Sequence, residues 1–142
     1  MYWKSAESKY FVPGQIEAQP HLVQKTFDPT TKQITETGTK ILKQNFISPQ
    51  TLAIVKSGMR QCVTDGSCKL LGRLPFTSGG KTGTAQWNRN KDNHAWFTAF
   101  APYDNPQIVV TVLVEEGKEG SEAAMPIAND FLRWWGESYL TY

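Results

Sequence analysis

The chain is poor in the residue types that mark several function classes. Among its 142 residues are two histidines and two cysteines. Cys62 and Cys68 are six apart, with no nearby histidine and no second pair at ligand spacing, which argues against a zinc site, and no metal or cofactor is expected. One cysteine pair is too few for a disulfide scaffold. The expectation is therefore two small buried thiols, with a disulfide as the alternative. There is no run of basic residues: 15 Lys and Arg against 13 Asp and Glu leave a net charge of +2, which gives no electrostatic footprint for nucleic acid or anionic lipid. No apolar run approaches the roughly 18 residues of a membrane helix, and "MYWKSAESKYF" lacks the apolar middle of a signal peptide, so the chain as given is expected to be soluble. Repeats and low-complexity segments are also lacking.

What is present is enough for one modest core, with 39% apolar and 12% aromatic residues. The stretch from Gln19 to Leu42 alternates apolar and polar residues around "DPTTKQ", which predicts a β-hairpin or two short extended segments on the surface. "SPQTLAIVKSGMRQCVTDG" predicts a helix. Ser48 is its N-cap, Pro49 its first residue, Gly66 its terminator, and Leu52, Val55, Met59 and Val63 its apolar stripe. After a loop come three strand-like runs, "KTGTAQW", "HAWFTAFAP" and "QIVVTVLVEE", which predict an antiparallel meander. The third is almost continuously apolar, the pattern of a strand with neighbours on both sides rather than at an edge. Gly120 or Ser121 opens a last helix, with Ala124, Ile127, Ala128, Phe131 and Trp135 as its stripe and Pro126 tolerated in its first turns. Trp134 and Trp135 cannot both face one core. This order of elements predicts an α+β fold, an antiparallel sheet covered by helices.

The most informative stretch is "TSGGKTGTAQW", Thr77 to Trp87. A phosphate-binding loop, G-x-x-x-x-G-K-[ST], would need its first glycine where Pro75 stands and a helix after Thr82, and neither condition is met. As a strand the stretch makes sense. Thr82 and Thr84 then share one face, Lys81 points to the other, and Gly83 leaves the backbone bare between them. Two hydroxyls and a nearby cation can hold a carboxylate through charge-assisted hydrogen bonds, and a free N–H at Thr84 can meet a developing oxyanion.

These residues carry a resemblance. "GGKTGTAQ" followed by "HAWFTAFAPYDNPQIVVTVLVEEGKEGSEAAMPIANDFL" is similar to the C-terminal part of the transpeptidase domain of penicillin-binding proteins, most of all the class B enzymes of cell elongation. The likeness extends back to Gln19, so that residues 19–142 are expected to be this part of the domain, a partial β-lactamase/transpeptidase-like fold, and residues 1–18 stay unplaced. The resemblance implies acyl transfer between peptidoglycan stem peptides through a serine that β-lactams also acylate. Three motifs meet in such a cleft: S-x-x-K, [SY]-x-N and K-T-G. Carried over, Lys81 shapes the field around the middle motif's serine, Thr82 and Thr84 bind the substrate carboxylate, and the Thr84 amide is an oxyanion donor. Gly83 keeps the strand open to substrate and to the neighbouring helix. No cofactor is implied. The implied partners are the missing N-terminal part of the domain, stem peptides, β-lactams and a polytopic glycan polymerase, at the outer face of the cytoplasmic membrane.

The other two motifs are expected to be absent. Ser78-Gly-Gly-Lys81 fits S-x-x-K only formally, because an extended chain puts the two side chains about 10 Å apart on opposite faces, whereas one helical turn would separate them by about 5 to 6 Å. Tyr103-Asp104-Asn105 fits [SY]-x-N but follows K-T-G and lies in a turn. His94 and His21 read as ordinary structural residues, Trp87, Trp96 and Phe97 as a hydrophobic sheet face or the flank of a ligand, and Glu115 and Glu116 as solvated. The leading reading is a segment of a D,D-transpeptidase supplying the K-T-G strand without the nucleophile. The alternatives are a non-catalytic module that binds penicillin or D-Ala-D-Ala, and a segment of a serine β-lactamase or D,D-carboxypeptidase.

Overall fold

The computed structural model describes residues 16–19, 23, 25–38 and 40–140. His21 and most of the unplaced segment lie outside them. The chain forms two compact units, one of residues 11–52 and the other chiefly of residues 53–142.

The first unit is a pair of antiparallel ribbons. Strand β2 (Lys25–Phe27) pairs with β3 (Ile34–Glu36), and β1 (Ile16–Ala18) pairs with β4 (Ile41–Gln44). The predicted break is the hairpin turn. The Asp28 carboxylate accepts the N–H groups of Thr30 at 2.8 Å and Thr31 at 3.2 Å, which is why aspartate opens the turn. Those bonds favour the ionised form and hold the carboxyl below its ordinary range.

Helix α1 (Pro49–Thr64) begins where the sequence predicts: Ser48 Oγ accepts the N–H of Thr51 at 3.1 Å. Its end also agrees, with the Gly66 N–H bonded to Gln61 O at 3.0 Å. Its stripe is corrected, since only Val63 is buried while Val55 is 52% exposed. Past Thr64 the chain curls back and the Cys68 N–H bonds Cys62 O at 2.8 Å. This return brings the two Cα atoms to 5.0 Å and joins Cys62 and Cys68 in a disulfide, contrary to the expected free thiols. The segment read as plain loop holds a 3₁₀ turn, Lys69–Arg73, which buries Leu71.

The sheet of the second unit is β5 (Gly79–Ala85), β6 (His94–Ala101) and β7 (Ile108–Val114), antiparallel in the order β5-β6-β7. The meander is as predicted, but β5 begins two residues before Lys81. Its paired glycines are required by close approach. A Cβ at Gly79 would lie 2.6 Å from the Phe100 ring, and one at Gly80 would lie 2.9 Å from Phe97. Among the described residues strand β7 lies at the sheet edge, with Val109 55% and Leu113 43% exposed.

One face of β6 is the core. Ala95, Phe97, Ala99 and Ala101 are all fully buried, and the three alanines leave room for helix α2 (Met125–Tyr139) to pack closely. A short π-helical turn, Gly120–Ala124, leads into α2. Met125, Ala128, Leu132 and Trp135 point inward, whereas Ile127 is 52% and Trp134 49% exposed. Of the expected stripe, Ala124, Ala128 and Trp135 are buried and Phe131 packs against the core, so Ile127 is the residue corrected. Ile127, Phe131 and Trp134 form a second apolar arc at i, i+4 and i+7, and periodicity alone cannot choose between two such arcs.

Two stability outcomes follow from this packing. Phe97→Ala should lower the free energy of unfolding by about 3 to 5 kcal/mol, read from the urea midpoint at constant slope. Replacing both cysteines by serine should cost about 2 kcal/mol, since closing so short a loop removes only modest chain entropy, and a dithiol reductant should reproduce that shift in the unmodified chain.

Candidate active site

Among the described residues strand β5 is at the other edge of the sheet, paired with β6 on one side only. Threonine favours an extended backbone, and the open edge leaves alternate N–H groups pointing away from the ladder. Lys81 lies opposite Thr98, Thr82 opposite Phe97, Gly83 opposite Trp96 and Thr84 opposite Ala95. Thr82 and Thr84 therefore share the face that carries Phe97, and Lys81 belongs to the other face, as alternation requires.

Each polar group has an identified contact. Lys81 is exposed and its Nζ donates to the Thr82 carbonyl. Thr82 Oγ1 lies 3.3 Å from Ser67 Oγ, which the loop between the two cysteines brings to the strand. Thr84 Oγ1 donates to Glu119 Oε2 at 3.0 Å. Motif spacing does not reveal Ser67 or Glu119, because they approach from separate parts of the chain.

Gly83 has a would-be Cβ 3.2 Å from that of Trp96, on the face away from α2. Gly120 is the glycine that allows the close helical approach. A Cβ on it would sit 2.3 Å from Trp96 O and 2.8 Å from Gly83 O, so the π turn rests directly on the β5 and β6 backbones.

The formal motifs fall elsewhere. Ser78 is fully buried and its Oγ has no hydrogen-bond partner among the described residues, while its carbonyl accepts Arg60 Nη1 at 2.9 Å. Tyr103 is stacked on Phe100 with ring centroids 5.9 Å apart, and its N–H bonds Thr77 O at 2.9 Å. Lys56 Nζ lies 5.2 Å from the Tyr103 ring centroid, so that ring carries a cation–π contact.

His94 is a structural residue, as expected. Its Nδ1 accepts the Glu116 N–H at 3.0 Å, and its ring stacks on Trp87 at 5.0 Å. Glu116 is exposed, as its solvated reading expects, and pairs at the surface with Lys91 at 2.7 Å, with the lysine also 4.8 Å above the Trp87 ring. Of the three aromatic residues grouped as one sheet face, only Phe97 is buried; Trp96 lies on the opposite face and Trp87 in the β5–β6 hairpin. Among the described residues no group of three or more His, Cys, Asp or Glu could hold a metal ion.

The sequence that carries this strand matches a known domain. The penicillin binding protein transpeptidase domain matches residues 10–133. The chain belongs to that family. The family's curated members include a peptidoglycan D,D-transpeptidase MrdA from Haemophilus influenzae, 43% identical over 42% of this chain and 11% of its own length. Stage V sporulation protein D from Bacillus subtilis is 31% identical over 86% of the chain and 20% of its own length. The chain thus spans a quarter or less of these relatives. Among solved structures, the D,D-transpeptidase domain from Eggerthella lenta superposes with a TM-score of 0.74 at 25% identity, covering 89% of this chain and 30% of that one. Penicillin-binding protein A from M. tuberculosis, as an imipenem acyl-enzyme complex, gives a TM-score of 0.70 at 29% identity, covering 85% and 27%. The fold is accordingly the transpeptidase-domain fold in part, with the antiparallel sheet and covering helices as predicted.

Ser78→Ala should leave stability unchanged or raise it by up to about 1 kcal/mol, because the hydroxyl it removes is buried without a partner. In a complete transpeptidase domain that includes this chain, the same variant should be acylated by penicillin at the unmodified rate. A lost adduct would make Ser78 the nucleophile.

Proposed function

We propose that this chain is the K-T-G-bearing segment of a peptidoglycan D,D-transpeptidase and that it works with a nucleophilic serine supplied from outside these residues. The observation that supports this reading best is β5 itself: an edge strand with Lys81 exposed and the Thr82 and Thr84 side chains on one face.

In this reading the substrate's terminal carboxylate is held by the Thr82 and Thr84 hydroxyls, with the Lys81 ammonium lowering the cost of bringing that anion into the cleft. The serine oxygen attacks the penultimate D-Ala carbonyl. Its negative oxygen is met by the Thr84 N–H, the C–N bond breaks, and D-Ala leaves with a proton on its amine. The amine of a neighbouring stem then attacks the ester, which forms the cross-link and returns the serine. Residues 19–142 constitute the contributed part, and residues 1–18 have no role assigned.

The whole protein, on this reading, acts at the outer face of the cytoplasmic membrane beside a polytopic glycan polymerase. Among the described residues no helix is long and apolar enough to cross a membrane.

Labelling with a fluorescent penicillin tests the division of labour. The isolated chain should take no covalent label, and mixing it with the complementary segment should place label on a serine of that segment. Thr84→Val in the complete domain should slow acylation about 10-fold or more, the effect of one charge-assisted hydrogen bond. Reversible penicillin binding without an adduct in the complete domain would favour a non-catalytic binding module instead.

A further inference from the structure

The Thr84 hydroxyl has one proton, and in this structure that proton is directed to Glu119, with Oγ1 to Oε2 at 3.0 Å. We propose that Glu119 is an internal competitor for the substrate carboxylate, resting on the Thr84 hydroxyl and leaving it when an anionic substrate end docks. The inference rests on the reading of Thr84 as a carboxylate anchor.

The backbone that carries Glu119 is fixed from both directions. Before it, Glu116 and Lys118 adopt left-handed φ values of 52° and 67°, an unfavourable conformation for residues with a side chain. The loop is held in that shape by the Glu116 N–H on His94 Nδ1 at 3.0 Å, the Lys91–Glu116 pair at 2.7 Å and the Lys118 N–H on Asn93 O at 3.0 Å. After it, the Glu122 and Ala123 N–H groups bond the Glu119 carbonyl at 3.1 and 3.0 Å. Only the side chain is free to move, and it is solvent-exposed, so it can swing into water without disturbing the fold.

The competition follows from hydrogen-bond arithmetic. A hydroxyl donates once, and a carboxylate can only accept, so Glu119 and a substrate carboxylate cannot both be served by Thr84. As like charges they also repel one another. Thr82 differs, because its contact is the neutral Ser67 hydroxyl, which can donate to Thr82 and leave the Thr82 proton for an anion. Thr82 therefore recruits the carboxylate first, and Thr84 becomes available as Glu119 is displaced. Ligands without a carboxylate gain nothing from that displacement. Glu119 is thus a specificity-determining residue that raises the threshold for weakly anchored ligands.

The test uses the complete transpeptidase domain and the second-order rate constant of acylation by benzylpenicillin and by its methyl ester. Glu119→Ala should raise the rate with benzylpenicillin about 3- to 10-fold, the range of one ordinary hydrogen bond, and Glu119→Gln should raise it less. The methyl ester should show no gain, and neither should Glu119→Ala in a Thr84→Val background. The gain should appear in the binding step and not in the limiting acylation rate at saturation. An unchanged or lower rate for both Glu119 variants, with an unchanged melting temperature and a Thr84→Val variant that is slowed, would overturn this inference alone. If Thr84→Val is not slowed, the carboxylate-anchor reading itself falls.

Discussion

The close contact between Gly120 and Gly83 organises the second unit. With no Cβ on Gly120, the π turn lies against the Trp96 and Gly83 carbonyls at distances no other side chain permits. That seating sets the direction in which α2 leaves and so aligns Ala128, Leu132 and Trp135 over the alanine-lined face of β6. The preceding residue is Glu119, which reaches the Thr84 hydroxyl. One backbone contact therefore serves the core and the candidate site together, and the two cannot be adjusted independently.

Local chemistry made much of the fold legible in the sequence. Ser48 and Pro49 announce the start of α1 because a cap and a pre-set φ act within a few residues. The "DPTTKQ" turn is likewise announced by an aspartate that bonds its own following amides. Where two answers are locally equal, the sequence leaves the choice open. Helix α2 carries two apolar arcs, and only the shape of the sheet decides that Leu132 faces inward and Ile127 outward. The Cys62–Cys68 bridge depends on how the chain turns after Thr64, and six residues of spacing do not specify that turn.

The candidate site divides in the same way. Strand alternation assigns Thr82 and Thr84 to one face and Lys81 to the other without further information. Their partners come from 15 and 35 residues away, and neither Ser67 nor Glu119 belongs to a pattern that singles it out beforehand. The role of Gly120 was likewise hidden, since a glycine at a helix start has an ordinary explanation in conformational preference. Its actual reason is a steric demand from two strands distant in sequence.

Strand β7 has a practical consequence for handling the molecule. Among the described residues its outer side meets no other strand, and Val109 and Leu113 are left open to water. Such a border offers a row of amides and carbonyls to any extended peptide that arrives in register, including a second copy of itself. Ladder growth from copy to copy is then favoured as the concentration rises. Dilution, or a short peptide that caps the border, favours single molecules over chains of them.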